Sequence, residues 1–160
     1  MNRMTDKIHE MGLKLPKPFI YPSPNRTGCV VTGNLVYTSG HPPPSGFGVA
    51  VHGKVGGDIA EREAVSSAQA AALNILASVE QQVGSLEAIK QVVKVTGLVN
   101  SAPGFVRQFA VVDGASNLFV DLFGPSAGQH ARSAIGVFEL PRQFCMEIEA
   151  IFELSNSNSR

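Results

Sequence analysis

This sequence is poor in cysteine, lacks tryptophan and carries no net charge. It contains two cysteines and no tryptophan, and its thirteen basic residues balance its thirteen acidic ones. Cys29 and Cys145 cannot make a disulfide framework, so we expect both thiols to be reduced and the protein to be cytoplasmic. The charge balance does not support a nucleic-acid-binding surface, so we expect no nucleic-acid partner.

Long apolar segments and the common motifs of catalysis are missing as well. No stretch of about 18 apolar residues predicts a membrane span, and no apolar run follows a basic N-terminus. No GxxxxGK[ST] or GxGxxG pattern follows a predicted strand, and no GxSxG elbow occurs. We expect no membrane association, no metal and no cofactor. None of the four histidines has the spacing of zinc ligands. His41 and His130 could titrate near neutral pH, but we interpret both as ordinary loop residues.

The remaining composition is that of one globular domain. The chain is 44% hydrophobic and 16% charged, which is typical of a folded protein. A chain of this length can bury roughly 70% of its unfolded surface, enough for a core without metal or disulfides. We expect a single domain over residues 1–160, with a helix and proline-rich connector in residues 1–24 and a frayed tail in residues 155–160.

Prolines and glycines divide the N-terminal part of the chain into short elements. Residues 4–13 have the spacing of an amphipathic helix, and four prolines make residues 15–24 an extended connector. Residues 29–40, CVVTGNLVYTSG, are typical of a β-hairpin with a two-residue turn of the primed type at Gly33-Asn34. Residues 47–52 are a candidate third strand.

Two long helices dominate the middle of the sequence. Residues 58–83 form the clearest helix, with Asp58 as its N-cap and a broad stripe of alanines and larger apolar residues. Residues 91–99 are strand-like, and residues 109–123 form the second helix, in which Asp113 is a candidate cap. The inward residues predicted for this second helix are Val112, Ala115, Phe119 and Leu122. We expect both helices to pack on one face of a mixed sheet. This arrangement is an α+β sandwich.

The C-terminal stretch, residues 131–154, has the pattern of two strands joined by a turn. The second strand has one apolar face, and its other face carries Cys145, Glu147 and Glu149. If the two strands pair, Arg132 lies across from these carboxylates, beside small residues that leave room for a ligand. This arrangement favours a site that binds a carboxylate and transfers a proton. A solvated sheet face with a cross-strand ion pair is the alternative.

The carboxylate-bearing face of that strand has no covering layer among the predicted elements. Cys145 and Ile151 are expected on the same face as the carboxylates. An uncovered sheet face with apolar members suggests a partner chain.

With these elements assigned, the sequence resembles the Rid (reactive intermediate deaminase) family, also called YjgF or endoribonuclease L-PSP. The resemblance covers nearly the whole chain after Thr27, and the spacing from Arg132 to the Glu-Ile-Glu-Ala run carries most of it. The N-terminal helix and residues 111–141 resemble a longer subgroup whose members mostly lack an assigned role. The matching segments are Gly33-Asn34 through Ser39-Gly40, Gly57-Asp58-Ile59, Ala131-Arg132-Ser133, Leu140-Pro141 and Glu147-Ile148-Glu149-Ala150.

The resemblance implies a chorismate-mutase-like α+β fold and a homotrimer. Its uncovered sheet faces would form a central barrel, with a cleft between each pair of subunits. It also implies hydrolysis of reactive enamines and imines derived from amino acids, such as 2-aminoacrylate and 2-iminopropanoate. The products are a 2-keto acid and ammonium, no cofactor is needed, and the ligand is a small carboxylate-bearing imine or 2-keto acid.

The same resemblance implies a role for five residues. The planar fork of Arg132 would hold the substrate carboxylate. Glu147 would orient or deprotonate the attacking water. The carbonyl of Gly40 would touch the substrate nitrogen. Ser39 matches a small polar residue of the site, and the backbone of Ala134 matches a position that helps to hold the ligand.

The sequence departs from the family at two other positions. The tyrosine that the family's deaminases place in the cleft corresponds, without gaps from Gly33, to Arg26, while Tyr21 lies five residues away. His41 stands where the family has glutamine. A second arginine could favour a dicarboxylate or a larger acidic ligand, or could mean that deaminase activity is lost.

Several functions therefore remain open. The first is the imine or enamine deaminase, and the second is a non-catalytic trimer that binds or senses small carboxylates, which Arg26 favours. A ribonuclease, suggested by the historical family name, is disfavoured by zero net charge. Chorismate mutase activity on the same fold is more distant still.

Overall fold

The computed structural model describes residues 4–155. Its helices are α1 (Met4–Glu10), α2 (Glu61–Val83) and α3 (Gln108–Gly128). Its strands are β1 (Cys29–Thr32), β2 (Leu35–Thr38), β3 (Ile89–Asn100), β4 (Ala131–Val137) and β5 (Met146–Leu154). The predicted frayed tail lies, apart from Ser155, outside the described residues.

The strands form one mixed sheet in the order β1-β2-β5-β3-β4, in which β3 and β4 run parallel and the other neighbours antiparallel. Both long helices pack on one face, where the ring of Phe119 in α3 lies 5.6 Å from the ring of Phe152 in β5. The alanine stripe of α2 is buried there, because methyl side chains let a helix approach closely. The predicted α+β sandwich is confirmed.

The local predictions for the first hairpin and the two long helices are largely confirmed. Thr32 pairs with Leu35 across the turn, and Gly33 has a φ of 58°, as the first position of a primed turn requires. The predicted inward residues of α3 are all buried. Gly84 ends α2 in the left-handed conformation. Apolar periodicity and turn chemistry therefore locate these elements without tertiary information.

The predicted pairing of the last two strands is wrong. β3 lies between β4 and β5 and pairs with both, so β4 and β5 are not neighbours. The reason is the connection through α3: two strands joined by a helix become parallel neighbours in a βαβ unit. The twelve-residue β3 is long enough to accept both partners.

Three further local predictions are also wrong. Residues 47–52 form no strand, and only an isolated bridge joins His52 to Phe144. The α2 helix begins at Glu61 rather than Asp58, because the Glu63 carboxylate accepts from the backbone N–H of Ala60 at 2.9 Å. Asp113 lies inside α3 and does not cap it.

The face of the sheet opposite the helices carries Glu147, Glu149 and Ile151, as predicted from their alternation. Within residues 4–155, no helix packs on this face. Tyr37 and Ile135 lie on it with 45% and 47% of their surface exposed. Cys145 does not lie there: it precedes β5, is fully buried, and its thiol contacts the carbonyl of Ala50.

The helices α2 and α3 pack so closely that one glycine has no room for a side chain. A Cβ on Gly114 would lie 2.1 Å from the backbone oxygen of Val65. We predict that Gly114→Ala destabilises the fold by about 1–3 kcal/mol through overpacking, although alanine is the better helix former. Urea unfolding measures this, with Asn117→Ala on the exposed side of α3 as the control. Equal stability of the two variants would contradict the close packing.

Candidate functional site

A cavity of about 330 Å³ opens where the N-terminal connector meets the end of β2 and the start of β5. Phe19, Phe144 and Arg142 form part of its wall. Five of the seven residues predicted for the site also line it: Tyr21, Arg26, Ser39, Gly40 and Glu147. The connector thus forms one side of a site.

Gly40 and Glu147 are held together by an irregular junction between β2 and β5. Regular pairing ends at Tyr37 and Ile151, and the hydroxyl of Thr38 then accepts the N–H of Ala150 at 2.9 Å. Two backbone hydrogen bonds restore the pairing at His41 and Ile148. At the resulting turn, a Cβ on Gly40 would lie 2.6 Å from Oε2 of Glu147. A side chain at position 40 would therefore displace the Glu147 carboxyl from its observed position.

His41 supports this turn from beneath and is no ordinary loop histidine, contrary to the sequence interpretation. The side chain is fully buried. Its Nδ1 donates to the carbonyl of Ser39 at 2.7 Å, and its Nε2 accepts from the hydroxyl of Ser78 at 2.8 Å. Burial lowers the pKa of His41 to about 4, against an opposing effect of the Ser39 hydrogen bond. The neutral imidazole therefore fixes the turn to α2.

Tyr21 reaches the backbone of Gly40 from the connector. Its hydroxyl donates to the carbonyl of Gly40 at 2.8 Å. Burial raises the pKa of Tyr21 to about 12, so the phenol is neutral at physiological pH. The guanidinium of Arg26 lies 5.7 Å from the Tyr21 ring, a cation–π distance. Tyr21 and Arg26 thus line the cleft together. The ungapped comparison with the family places only Arg26 at the position of the family's tyrosine.

Glu147 is the half-buried carboxyl of the cleft. Burial raises its pKa, Arg26 lowers it, and Glu149 raises it further, with a net upward shift. A carboxyl whose pKa moves toward neutrality is a better proton acceptor for catalysis than an exposed one. Glu149, two residues along, is exposed and does not line this cleft.

Arg132 and Ala134, the other two predicted residues, lie on the opposite face of the sheet from Glu147. Arg132 is in register with Val95 and Ala150, whereas Glu147 is in register with Leu98. Because side chains alternate along each strand, these two registers point to different faces. The predicted meeting of Arg132 and Glu147 within one chain is therefore wrong.

A hydrogen-bonded network on α3 holds Arg132 instead. Its guanidinium donates to Asp113 at 2.7 Å, to the Ser116 hydroxyl at 3.1 Å and to the Phe109 carbonyl at 3.3 Å. The Ser116 hydroxyl in turn lies 2.9 Å from Nε2 of His130. Burial lowers the pKa of His130. Arg132 is thus rigidly positioned at an edge strand, with 22% of its side chain exposed.

Arg142 is a cleft residue that sequence reasoning missed. It and Gln143 have φ angles of 56° and 57°, a left-handed conformation that is unfavourable outside glycine. His52 Nδ1 donates to the Arg142 carbonyl at 3.1 Å, and the Gln143 carbonyl accepts from Gly53 at 2.9 Å. No residue type in this segment signals the left-handed turn, so the pattern could not have placed Arg142 in the cleft.

The described residues contain no cluster of histidine, cysteine, aspartate and glutamate side chains that could hold a metal ion. In the same part of the chain, no helix has the length and apolar character needed to cross a membrane. Cys29 and Cys145 are buried free cysteines. Burial raises the pKa of the Cys145 thiol to about 11, which makes a catalytic thiolate unfavourable.

Comparisons with known proteins agree with the fold and the sequence pattern. The model of the family described as "YjgF/chorismate mutase-like, putative endoribonuclease" matches residues 6–148. Protein TCP17 of Trypanosoma cruzi is 34% identical over 154 residues, which cover 96% of each chain. The structure of Atu1372 from Agrobacterium tumefaciens, described as of unknown function, is similar with 38% identity and a TM-score of 0.85, covering 95% of this chain and 94% of that one. The yjgF product of E. coli is similar with 25% identity and a TM-score of 0.58, covering 86% and 92%.

The buried His41 predicts a specific pH dependence of stability. Its pKa is about 4 in the folded protein and near 6.5 when unfolded, so the unfolded chain binds a proton first as pH falls. Stability is therefore full above pH 6.5 and declines toward pH 4, with a loss of about 2 kcal/mol between pH 7 and pH 5.

Urea unfolding at both pH values tests this, with His41→Gln as the comparison. Glutamine does not titrate, and it is the residue that the family resemblance implies at this position. Between pH 7 and pH 5, the free energy of unfolding of the variant should fall by about 2 kcal/mol less than that of the wild type. An identical pH dependence in both proteins would show that His41 is not the responsible group.

Proposed function

Because the chain belongs to the YjgF/chorismate-mutase-like family, we propose that it hydrolyses imines and enamines of 2-amino acids to 2-keto acids and ammonium. The observation that carries the proposal is the position of the Glu147 carboxylate against Gly40, beside the Tyr21 hydroxyl, in a cavity of about 330 Å³. Substrates of the 2-aminoacrylate and 2-iminopropanoate type fit this cavity. We place the reaction in the cytoplasm, where amino-acid metabolism produces such intermediates.

The chemistry needs a positioned water and a proton acceptor. The carbon of a protonated imine is electrophilic, and Glu147 accepts a proton from water as the new C–O bond forms. The resulting carbinolamine receives that proton on nitrogen, and Glu147 then takes the hydroxyl proton as the C=O bond forms and the C–N bond breaks. Ammonia leaves, receives that proton to become ammonium, and the 2-keto acid is the other product. The Gly40 carbonyl lies where it can accept a hydrogen bond from the substrate nitrogen, once the Tyr21 hydroxyl yields or shares it.

The carboxylate anchor in this proposal is Arg132 of an adjoining subunit in a homotrimer. The sheet face with Glu149, Tyr37 and Ile135 has apolar surface exposed in the single chain, which favours burial against further copies. Arg132 lies on β4, an edge strand, and its guanidinium keeps free donors beyond those given to α3. The Arg132 guanidinium can therefore bind the carboxylate of a substrate that lies in the cleft of the adjoining subunit.

A non-catalytic carboxylate binder remains the second candidate, and one contact favours it. The Tyr21 hydroxyl already occupies the Gly40 carbonyl, which is the group proposed for the substrate nitrogen. If that hydrogen bond persists in the complex, a 2-keto acid would bind without turnover of the imine. We do not favour the ribonuclease suggested by the family description, since basic and acidic residues balance.

Two glutamate variants test the catalytic role. Glu147→Gln should slow ammonia release from 2-iminopropanoate, generated in situ, by about 10² or more, because general base catalysis contributes that much. Glu149→Gln is the matched control, since it removes a carboxylate two residues away on the same face and should leave the rate within about twofold. Equal effects of the two substitutions, or no turnover by the wild type, would contradict the deaminase.

Mixing two inactive variants tests the position of the site between subunits. If Glu147 and Arg132 meet across a boundary, co-refolded Arg132→Ala and Glu147→Gln chains restore native clefts. A random one-to-one mixture should recover about a quarter of the wild-type activity, because each cleft needs the correct chain on both sides. A mixture that stays inactive, although native mass spectrometry finds mixed trimers, would place both residues' roles within one chain and refute the proposal.

A further inference from the structure

A second cavity of about 560 Å³ adjoins the proposed catalytic cleft. The two cavities share Phe19, Arg142 and Phe144 as lining residues. The rings of Phe19 and Phe144 meet edge to face with centroids 6.5 Å apart. Because both cavities are bounded by the same three side chains, they are neighbouring compartments of one cleft.

The walls of this second compartment suit a ring-bearing group. Phe47 lines it, and His52 stacks on Phe144 with the ring centroids 5.3 Å apart and the planes 17° from parallel. Prolines of the connector and of the loop after β2 complete the walls. Rigid, mostly apolar walls around a volume of this size are typical of a pocket that binds a small organic ligand.

An unpartnered acceptor lies at the bottom of the compartment. Asn74 lines it from α2 with 1% of its surface exposed. Its Nδ2 donates to the carbonyl of Pro42 at 2.9 Å, so the amide orientation is determined and Oδ1 is the remaining polar atom. Among the described residues, Oδ1 has no hydrogen-bond partner. A buried acceptor without a donor is unfavourable, so a hydrogen-bond donor brought by a ligand would be stabilised there.

We propose that this compartment binds the side chain of the substrate, and that the side chain is a large ring ending in a hydrogen-bond donor. The donor pairs with Oδ1 of Asn74, while the ring lies among Phe19, Phe47 and Phe144. The identity of the other end of the ligand rests on the proposed function, which puts a 2-imino acid beside Glu147. The substrate class is then the imines of amino acids with hydroxylated aromatic side chains, in addition to the small imines.

Binding of 2-keto acids tests the compartment separately from catalysis. Calorimetry measures the affinities of three 2-keto acids. Pyruvate has no ring, phenylpyruvate has a ring, and 4-hydroxyphenylpyruvate has a ring that carries a hydrogen-bond donor. Burial of the ring should make phenylpyruvate bind about tenfold tighter than pyruvate or better. The hydroxyl should add about threefold or more through its hydrogen bond.

Two variants connect these preferences to the compartment. Asn74→Leu, which removes the acceptor at similar volume, should abolish the advantage of the hydroxylated acid over phenylpyruvate. Ser45→Trp fills the compartment from an exposed position and should weaken both aromatic acids about tenfold more than pyruvate. Ser126→Trp, at an exposed position of α3 remote from the cleft, is the control and should change none of the affinities.

The outcomes separate the two proposals. If pyruvate binds but the aromatic acids bind no tighter, or if Ser45→Trp affects all three acids equally, the compartment is not a side-chain site and the proposed function stands. If none of the three 2-keto acids binds, the proposed function fails and this inference fails with it. Since Ser45 is exposed, this test does not depend on whether Asn74→Leu folds.

Discussion

The close contact between Gly40 and Glu147 is the constraint on which the site depends. With 2.6 Å between a Cβ at position 40 and Oε2 of Glu147, any side chain at position 40 would displace the carboxyl from its observed position. His41 holds that backbone from the core side, and Tyr21 contacts its carbonyl from the cleft side. The carboxyl, a backbone carbonyl and a neutral phenol are thereby brought within reach of one small ligand. Burial of the Glu147 carboxyl in this cleft also raises its pKa.

Much of this architecture could be predicted from local patterns. Turn chemistry predicts the hairpin that ends at Gly40, and apolar periodicity predicts both long helices and the two faces of the last strand. The uncovered face with Glu147 and Glu149 follows from alternation alone. The family resemblance suggests the roles proposed for Ser39, Gly40 and Glu147, which neither periodicity nor composition could supply.

The remaining features depend on tertiary structure. Whether β4 pairs with β5 or with β3 is decided by the crossover through α3, and this decision moves Arg132 to the helix-covered face. The backbone at Arg142 is left-handed, and no residue type in that segment predicts this conformation. The burial of His41 depends on contact with Ser78 of α2, thirty-seven residues away. Contacts between distant segments thus determine which charged groups reach the cleft.

The most direct test of the account is a crystal structure of the protein with bound pyruvate. The account predicts a ligand in the cleft lined by Tyr21 and Phe144, with its keto group within hydrogen-bond distance of Glu147 or the Gly40 carbonyl. Its carboxylate would contact Arg132 of the adjoining subunit in a trimer. A ligand bound elsewhere on the chain, or a cleft complete within a lone subunit, would contradict the account.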